Sequence, residues 1–417
     1  MAHDEGSHVA RRDLNHENLS SATDAAADLQ EGRGRRLAIL GTRGIPADHG
    51  GFEVFAEHLS QYLTERDWRV SVYCQAGPSE SYRESDWRGV TRIHIPAAEG
   101  SVGSVLFDLR SVLHAARRGG LIYTLGYNTA LFNLVFRAVG VVNLINMDGF
   151  EWKRSKWSPP IRAWLRLNER AACIAGHRLV ADNPAVAEYL ERIGVSADRI
   201  SMAPYGARAV DDADAGLITR YGVRPGAYAL VVARPEPENS ILDIVKAYRA
   251  SACEDPLLVL GAFEPANNAY HREVIAESAP HIHFPGAVFD GPTIDALRRH
   301  CWLYLHGHQV GGTNPSLVEA LGAGSPVLAH GNAFNRWVAG EAAAYFDSIE
   351  TCAAEIGRLS RDPERRAAMS LAARERHRGV FQLPDVLSRH QAILESALRD
   401  PRGANTAAAP ASRASGR

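Results

Sequence analysis

Four loops of the 417-residue chain hold side chains whose types and spacing could do chemistry. The first runs Gly41-Thr42-Arg43-Gly44-Ile45-Pro46-Ala47-Asp48-His49-Gly50-Gly51-Phe52-Glu53, between an apolar run and a helical pattern. Gly50 and Gly51 at a helix start let backbone N–H groups approach a phosphate or sugar closely, and the helix dipole favours an anion there. The same glycines equally suit a tight turn, and their spacing is not the G-x-G-x-x-G of a dinucleotide fold. Arg43 and His49 are either solvated or aimed at a ligand. The second loop, Asn146-Met147-Asp148-Gly149-Phe150-Glu151-Trp152-Lys153-Arg154, follows another apolar run. It puts Asp148 where a catalytic carboxylate would stand, or where an Asx turn would need it.

The third loop is Ala233-Arg234-Pro235-Glu236-Pro237-Glu238-Asn239-Ser240. Arg234 could neutralise a departing phosphate, since guanidinium binds phosphate bidentately, while Glu238-Asn239-Ser240 could simply cap the next helix. The fourth runs from His306 through Gly311-Gly312-Thr313-Asn314-Pro315-Ser316 to Glu319 and Val327. N–H groups from Gly311 to Ser316 would cradle a diphosphate, and Glu319, one turn into the helix, could accept from two ribose hydroxyls. His306 and His308 make a histidine pair without a third ligand nearby in sequence, so no metal site is expected. Between the second and third loops, Trp152, Trp157 and Trp164 alternate with Lys153, Arg154, Lys156, Arg162, Arg166 and Arg170. That pattern suits a headgroup interface or a diphosphate-bearing acceptor, or else a solvated basic helix over core tryptophans.

The elements that must hold these loops alternate short apolar runs with longer helical periods. Leu37–Leu40, Val70–Cys74, Thr91–Ile95, Leu121–Leu125, Val141–Met147, Leu179–Ala181 and Ile200–Ala203 read as strands, with a helix over Thr129–Val139. The rhythm restarts after Tyr205-Gly206-Ala207 with strands at Tyr228–Val232, Leu257–Leu260, His281–Phe284, Trp302–His306 and Pro326–Ala329. Strands separated by helices predict parallel sheets covered on both faces. The expected division is a disordered tail over 1–34, Rossmann-like domains over 35–205 and 206–382, a terminal helix over 383–400 and a disordered tail over 401–417. The helix is expected to pack back toward the first domain. Open α/β domains bind ligands at the carboxyl edges of their strands, so the four loops should meet in the crevice between the domains.

Composition narrows the classes. At about 150 residues per domain the length suits two or three domains. Lys plus Arg (46) nearly balances Asp plus Glu (48), which argues against a nucleic-acid partner. Cys74, Cys173, Cys253, Cys301 and Cys352 form no C-x-x-C pair, consistent with a reducing cytoplasm. No apolar stretch is long and clean enough for a spanning helix, and no secretory signal opens the chain. A cytoplasmic protein is expected, at most resting on the cytoplasmic face of a membrane.

Together the loops resemble bacterial glycosyltransferases of family 4, and more narrowly the polysaccharide rhamnosyltransferase-like branch. The resemblance rests on Gly41–Glu53, Asp148–Arg154, Ala233–Ser240 and His306–Ala320, and extends over roughly residues 36 to 398. It implies a GT-B fold, two Rossmann-like domains with parallel sheets facing across a cleft, an acceptor domain first and a nucleotide-sugar domain second. It implies a retaining, metal-independent hexosyltransferase without a cofactor. The sugar, rhamnose or a related hexose, would pass from a nucleotide diphosphate sugar to a glycan or polyprenyl-diphosphate-linked acceptor. Gly50, Gly51, Arg234, Gly311, Gly312, Thr313, Asn314, Ser316 and Glu319 would then bind the donor. Asp148 and Arg234 would be catalytic, and Arg43, His49 and Glu151 would face the acceptor. Two departures stand out: wider family 4 pairs Glu319 with a second Glu where this chain has Gly311, and places a Lys after the Arg where this chain has Glu238-Asn239. The alternatives are a nucleotide-sugar epimerase of the same architecture and a non-catalytic sugar-nucleotide- or glycan-binding partner.

Overall fold

The computed structural model describes residues 35–47 and 50–400. His49 and both expected tails lie outside the described residues. Two sheets organise the chain. The front sheet contains β1 (Arg36–Leu40), β2 (Arg69–Ala76), β3 (Arg83–Trp87), β4 (Val90–Pro96), β5 (Leu121–Leu125), β6 (Asn143–Asn146), β7 (Arg178–Ala181) and β8 (Ile200–Met202). Its order is β3-β4-β2-β1-β5-β6-β7-β8, parallel throughout except for β3. The rear sheet contains β9 (Ala229–Val232), β10 (Leu257–Leu260), β11 (Ile282–Gly286), β12 (Leu303–His306), β13 (Val327–His330) and β14 (Ala343–Phe346). It is parallel in the order β11-β10-β9-β12-β13-β14.

The central strands are apolar on both faces because helices cover both faces: all of Leu121–Leu125 and Leu303–His306 is buried. Helices Gly51–Thr64 and Leu383–Arg399 cover one face of the front sheet, where Leu59, Leu63, Leu387 and Leu394 share a core with Leu37 and Val72. Helices Gly100–Arg118, Leu134–Ala138 and Pro159–Ala175 lie on the other. The chain crosses between the lobes twice, side by side: Ala207 N–H donates to Phe381 O at 3.0 Å and Leu383 N–H to Ala207 O at 3.0 Å.

Two local expectations change. The helix expected over Thr129–Val139 shrinks to Leu134–Ala138, because polar side chains hold the preceding turns elsewhere. Thr129 Oγ1 donates to Asp108 at 2.9 Å, and buried Asn133 donates to Thr124 at 3.0 Å. Antiparallel β3 has no counterpart in the sequence pattern, since Arg-Glu-Ser-Asp-Trp lacks apolar alternation and owes its conformation to pairing with β4 at the edge.

Candidate functional site

Each candidate loop leaves the carboxyl end of a central strand. The 41–51 loop follows β1, Asp148 follows β6, Arg234 follows β9, and the 307–314 loop follows β12. Strand direction delivers two loops to the carboxyl edge of each sheet, and the facing of the two lobes then brings all four to one crevice.

On the front lobe, the glycine loop is held down by the first turns of its own helix. Glu53 accepts from Thr42 Oγ1 at 3.2 Å and from Arg43 N–H at 2.9 Å, and Glu57 accepts from Ala47 N–H at 2.7 Å. Gly50 has a φ of 99°, and a Cβ there would come within 2.2 Å of Glu53 Oε2, so only glycine fits. Gly51 meets the rear lobe, where a Cβ would lie 3.3 Å from Pro315. The Arg43 side chain is paired with Asp108 at 3.7 Å and packs over Phe107.

Asp148 is half-buried with a φ of 47°, a left-handed conformation that Asp tolerates. Its N–H donates to Asn146 Oδ1 at 2.8 Å, so Asn146, and not Asp148, makes the Asx turn. Burial raises the Asp148 carboxyl above its ordinary range and Glu151 adds to this, while Arg154 and Arg234 oppose it. Glu151 is enclosed by its own segment, accepting from Trp157 Nε1 at 3.0 Å and from Arg154 Nε at 2.5 Å.

On the rear lobe, Arg234 is exposed and has no ion-pair partner among the described residues. Its charge acts on Asp148 and also on His308, which burial, then His306, Arg154 and Arg234, hold well below its ordinary value. His308 is accordingly neutral, and its ring stacks on His306 at 4.4 Å. The next helix, Pro315–Gly322, begins at Asn314, whose Oδ1 accepts from Ser316 N–H at 3.0 Å. The Ser316 hydroxyl is turned into the lobe, donating to Val232 O at 2.9 Å and touching Tyr304 OH. Glu319 pairs with buried Arg298 at 2.5 Å and bonds Tyr205, whose hydroxyl is raised first by burial and then by that carboxylate.

The lobes touch along this crevice. Asp182, just after β7, accepts from Thr313 N–H at 2.7 Å, while the Thr313 hydroxyl donates to Asp182 O. A Cβ on Gly312 would lie 2.0 Å from Asp182 Oδ1, and one on Gly149 would lie 2.4 Å from Gly311 Cα. Buried Glu238 reaches Arg154 at 3.5 Å and accepts from Ser155 Oγ at 3.2 Å, and Lys156 lies 3.6 Å from Glu236. Phe150 packs on Phe334 with ring centres 5.6 Å apart.

Asp148, Arg234, Gly51, Gly311 and Gly312 thus converge, with the Gly311 and Gly312 N–H groups unbonded among the described residues. Arg43 and the Thr313 and Ser316 hydroxyls are engaged elsewhere. The sequence reading missed Asp182, whose one signal is its place after a strand. It also missed the role of Glu238, which faces Arg154 across the cleft and does not cap its helix. Burial, followed by Asp148, pushes the Asp182 carboxyl up to about 8.

A family model described as "Domain of unknown function (DUF1972)" matches residues 34–208. No curated protein matches the chain. Among solved structures, sucrose-phosphate synthase from Thermosynechococcus elongatus is 16% identical, covering 88% of this chain and 99% of its own, with a TM-score of 0.72. Anabaena HepE in complex with UDP and glucose is 15% identical, covering 87% and 100%, with a TM-score of 0.68. The α,α-trehalose 6-phosphate synthase from Burkholderia multivorans is 14% identical, covering 88% and 98%, with a TM-score of 0.67. The chain has the GT-B fold, two Rossmann-like domains with parallel sheets facing across a cleft, as the sequence leads one to expect.

Proposed function

We propose that the protein is a glycosyltransferase that moves a hexosyl group, rhamnose or a related sugar, from a nucleotide diphosphate sugar to a glycan or polyprenyl-diphosphate-linked acceptor. The observation that carries this reading is that the Gly311 and Gly312 amides, unbonded among the described residues, and exposed Arg234 stand at strand ends of one lobe, opposite Asp148 on the other. A structural neighbour held with UDP and glucose supports a nucleotide sugar as the donor class.

In the proposed reaction the bond from the anomeric carbon to the diphosphate breaks and a bond to the acceptor oxygen forms on the same face, with retention. The acceptor proton leaves with the diphosphate oxygen. Negative charge grows on the leaving diphosphate, where the Arg234 guanidinium, the loop amides and the amino end of helix Pro315–Gly322 stabilise it without a bound cation. Glu319, oriented by Arg298 and Tyr205, would receive the ribose hydroxyls. Lobe contact excludes water, which suppresses hydrolysis.

The test is a thermal-shift panel of UDP-, dTDP- and GDP-sugars, followed by transfer assays with and without chelator. Arg234→Ala should fold normally, since Arg234 is exposed and has no ion-pair partner among the described residues, and should lose transfer by about 10²–10³-fold. Near-normal turnover by that variant, or no stabilisation by any sugar nucleotide, would overturn the proposal. Conversion of donor alone would point instead to an epimerase.

A further inference from the structure

The chain as a whole is nearly neutral, but its charge and its exposed apolar groups are unevenly placed. Among the described residues, seven of the ten large exposed hydrophobic side chains lie in one layer of the front lobe: Val102, Leu106, Leu113, Val139, Ile161, Leu167 and Ile174. That layer is the set of helices Gly100–Arg118, Leu134–Ala138 and Pro159–Ala175, with the middle helix packed against both others. On the first helix Val102, Leu106, Arg110, Leu113 and Arg117 are exposed at spacings of three and four, a single stripe. On the third, Arg162, Arg166 and Arg170 repeat every four residues along one flank, while Leu167 and Ile174, seven apart, line the other.

Arg110, Arg117, Arg137, Arg162, Arg166 and Arg170 are exposed and form no ion pair among the described residues. The two acids of these helices do not offset them. Asp108 is paired with Arg43, and buried Glu169 accepts from Trp152 Nε1 and Tyr189 OH. The tryptophans suggested by the sequence as headgroup anchors are half-buried and bonded within the lobe: Trp152, Trp157 and Trp164 donate to Glu169, Glu151 and Asn128 O.

From this geometry we infer that the three-helix face of the front lobe docks on an anionic lipid bilayer, arginines at the headgroups and Val, Leu and Ile side chains in the acyl boundary. Guanidinium groups beside short aliphatic side chains meet both layers of such an interface at once. A second copy of the face would bring six arginines against six. A nucleic acid would leave the aliphatic stripe unused and find no exposed ring there for stacking. The inference does not depend on the transfer reaction, since it concerns a surface outside the crevice.

The experiment is co-sedimentation of the full chain with vesicles of phosphatidylcholine alone and with about one-third phosphatidylglycerol, at low and high salt. Binding is expected only to the anionic vesicles and should weaken with salt. The triple variant Arg162→Gln, Arg166→Gln, Arg170→Gln should lower partitioning about a hundredfold, at roughly fivefold per arginine. Leu167→Ser with Ile174→Ser should lower it even at low salt. Thermal unfolding of both variants should stay close to the parent's, because the changed side chains are exposed and lose only surface contacts, Arg162 to Ser155 O and Arg166 over the Trp152 ring. Equal binding to both vesicle types, no binding, or retention by both variants would overturn the inference. So would concentration-dependent dimerisation lost in Leu167→Ser with Ile174→Ser, or RNA binding that outcompetes vesicles.

Discussion

Replacing Glu238 by Gln should loosen the contact between the lobes. The Glu238 and Arg154 side chains are 3% and 13% exposed, and they lie 3.5 Å apart across the crevice. At an effective dielectric of 20, two unit charges at that distance attract by about 5 kcal/mol before desolvation is counted. Most of this gross term is not lost. Arg154 keeps its bond to Glu151, and Gln at position 238 still offers an oxygen to Ser155. A net loss of about 1–2 kcal/mol remains, which raises the open population about 5–30-fold. Hydrogen exchange reads this directly, because among the described residues Thr313 N–H donates only to Asp182 of the opposite lobe. In Glu238→Gln the amide of Thr313 should exchange about 5–30-fold faster, while β9 and β12 keep their protection. Lys156→Gln is the internal control: its pair with Glu236 is partly exposed on both sides and should change exchange by less than about 1 kcal/mol. Unchanged protection at Thr313, or faster exchange throughout the rear lobe, would refute the reasoning.

Gly312→Ala and Gly149→Ala should each hold the lobes apart, since the added Cβ would sit 2.0 Å from Asp182 Oδ1 and 2.4 Å from Gly311 Cα. Small-angle scattering should show a larger radius of gyration with unfolding temperature little changed, and a radius equal to the parent's would count against both. Lobe contact should also depend on pH through Asp182, raised from 3.8 to about 8 by burial and by Asp148. A raised acid favours the protonated form, so its contribution is complete below the lower value, is lost as pH rises toward about 8, and is flat beyond. Thr313 protection should follow that course and become level in Asp182→Asn; identical profiles in the two proteins would contradict it.

Much of the architecture was legible because buried parallel strands leave a strong trace. Leu37–Leu40 and Leu121–Leu125 are short apolar runs with helical periods between them, and both are central strands. Strand β3 was not legible, for its residues have no preference that pairing at the edge does not impose. The glycine loops were legible as loops but not as what touches them. Nothing local says that Gly312 faces Asp182, because the two stand on different lobes and meet only through the fold. Arg43 shows the same limit from the other side: a cationic loop residue at a strand end, it turns to Asp108 on a helix its own segment does not announce. The tryptophans after Asp148 suggested an exposed interface by type, yet each indole N–H found an acceptor within the lobe.

Period and turn chemistry, which act over a few residues, were enough to set the two parallel sheets and to deliver Asp148, Arg234 and the Gly311–Ser316 loop to strand ends. Which of those groups stay available was decided by contacts between segments far apart in the chain. Glu238 and Arg154 are 84 positions apart, and Thr313 and Asp182 are 131 apart. Backbone preference is a local quantity, whereas burial and ion pairing depend on which surfaces packing brings together, so the crevice and its closure belong to the tertiary structure alone.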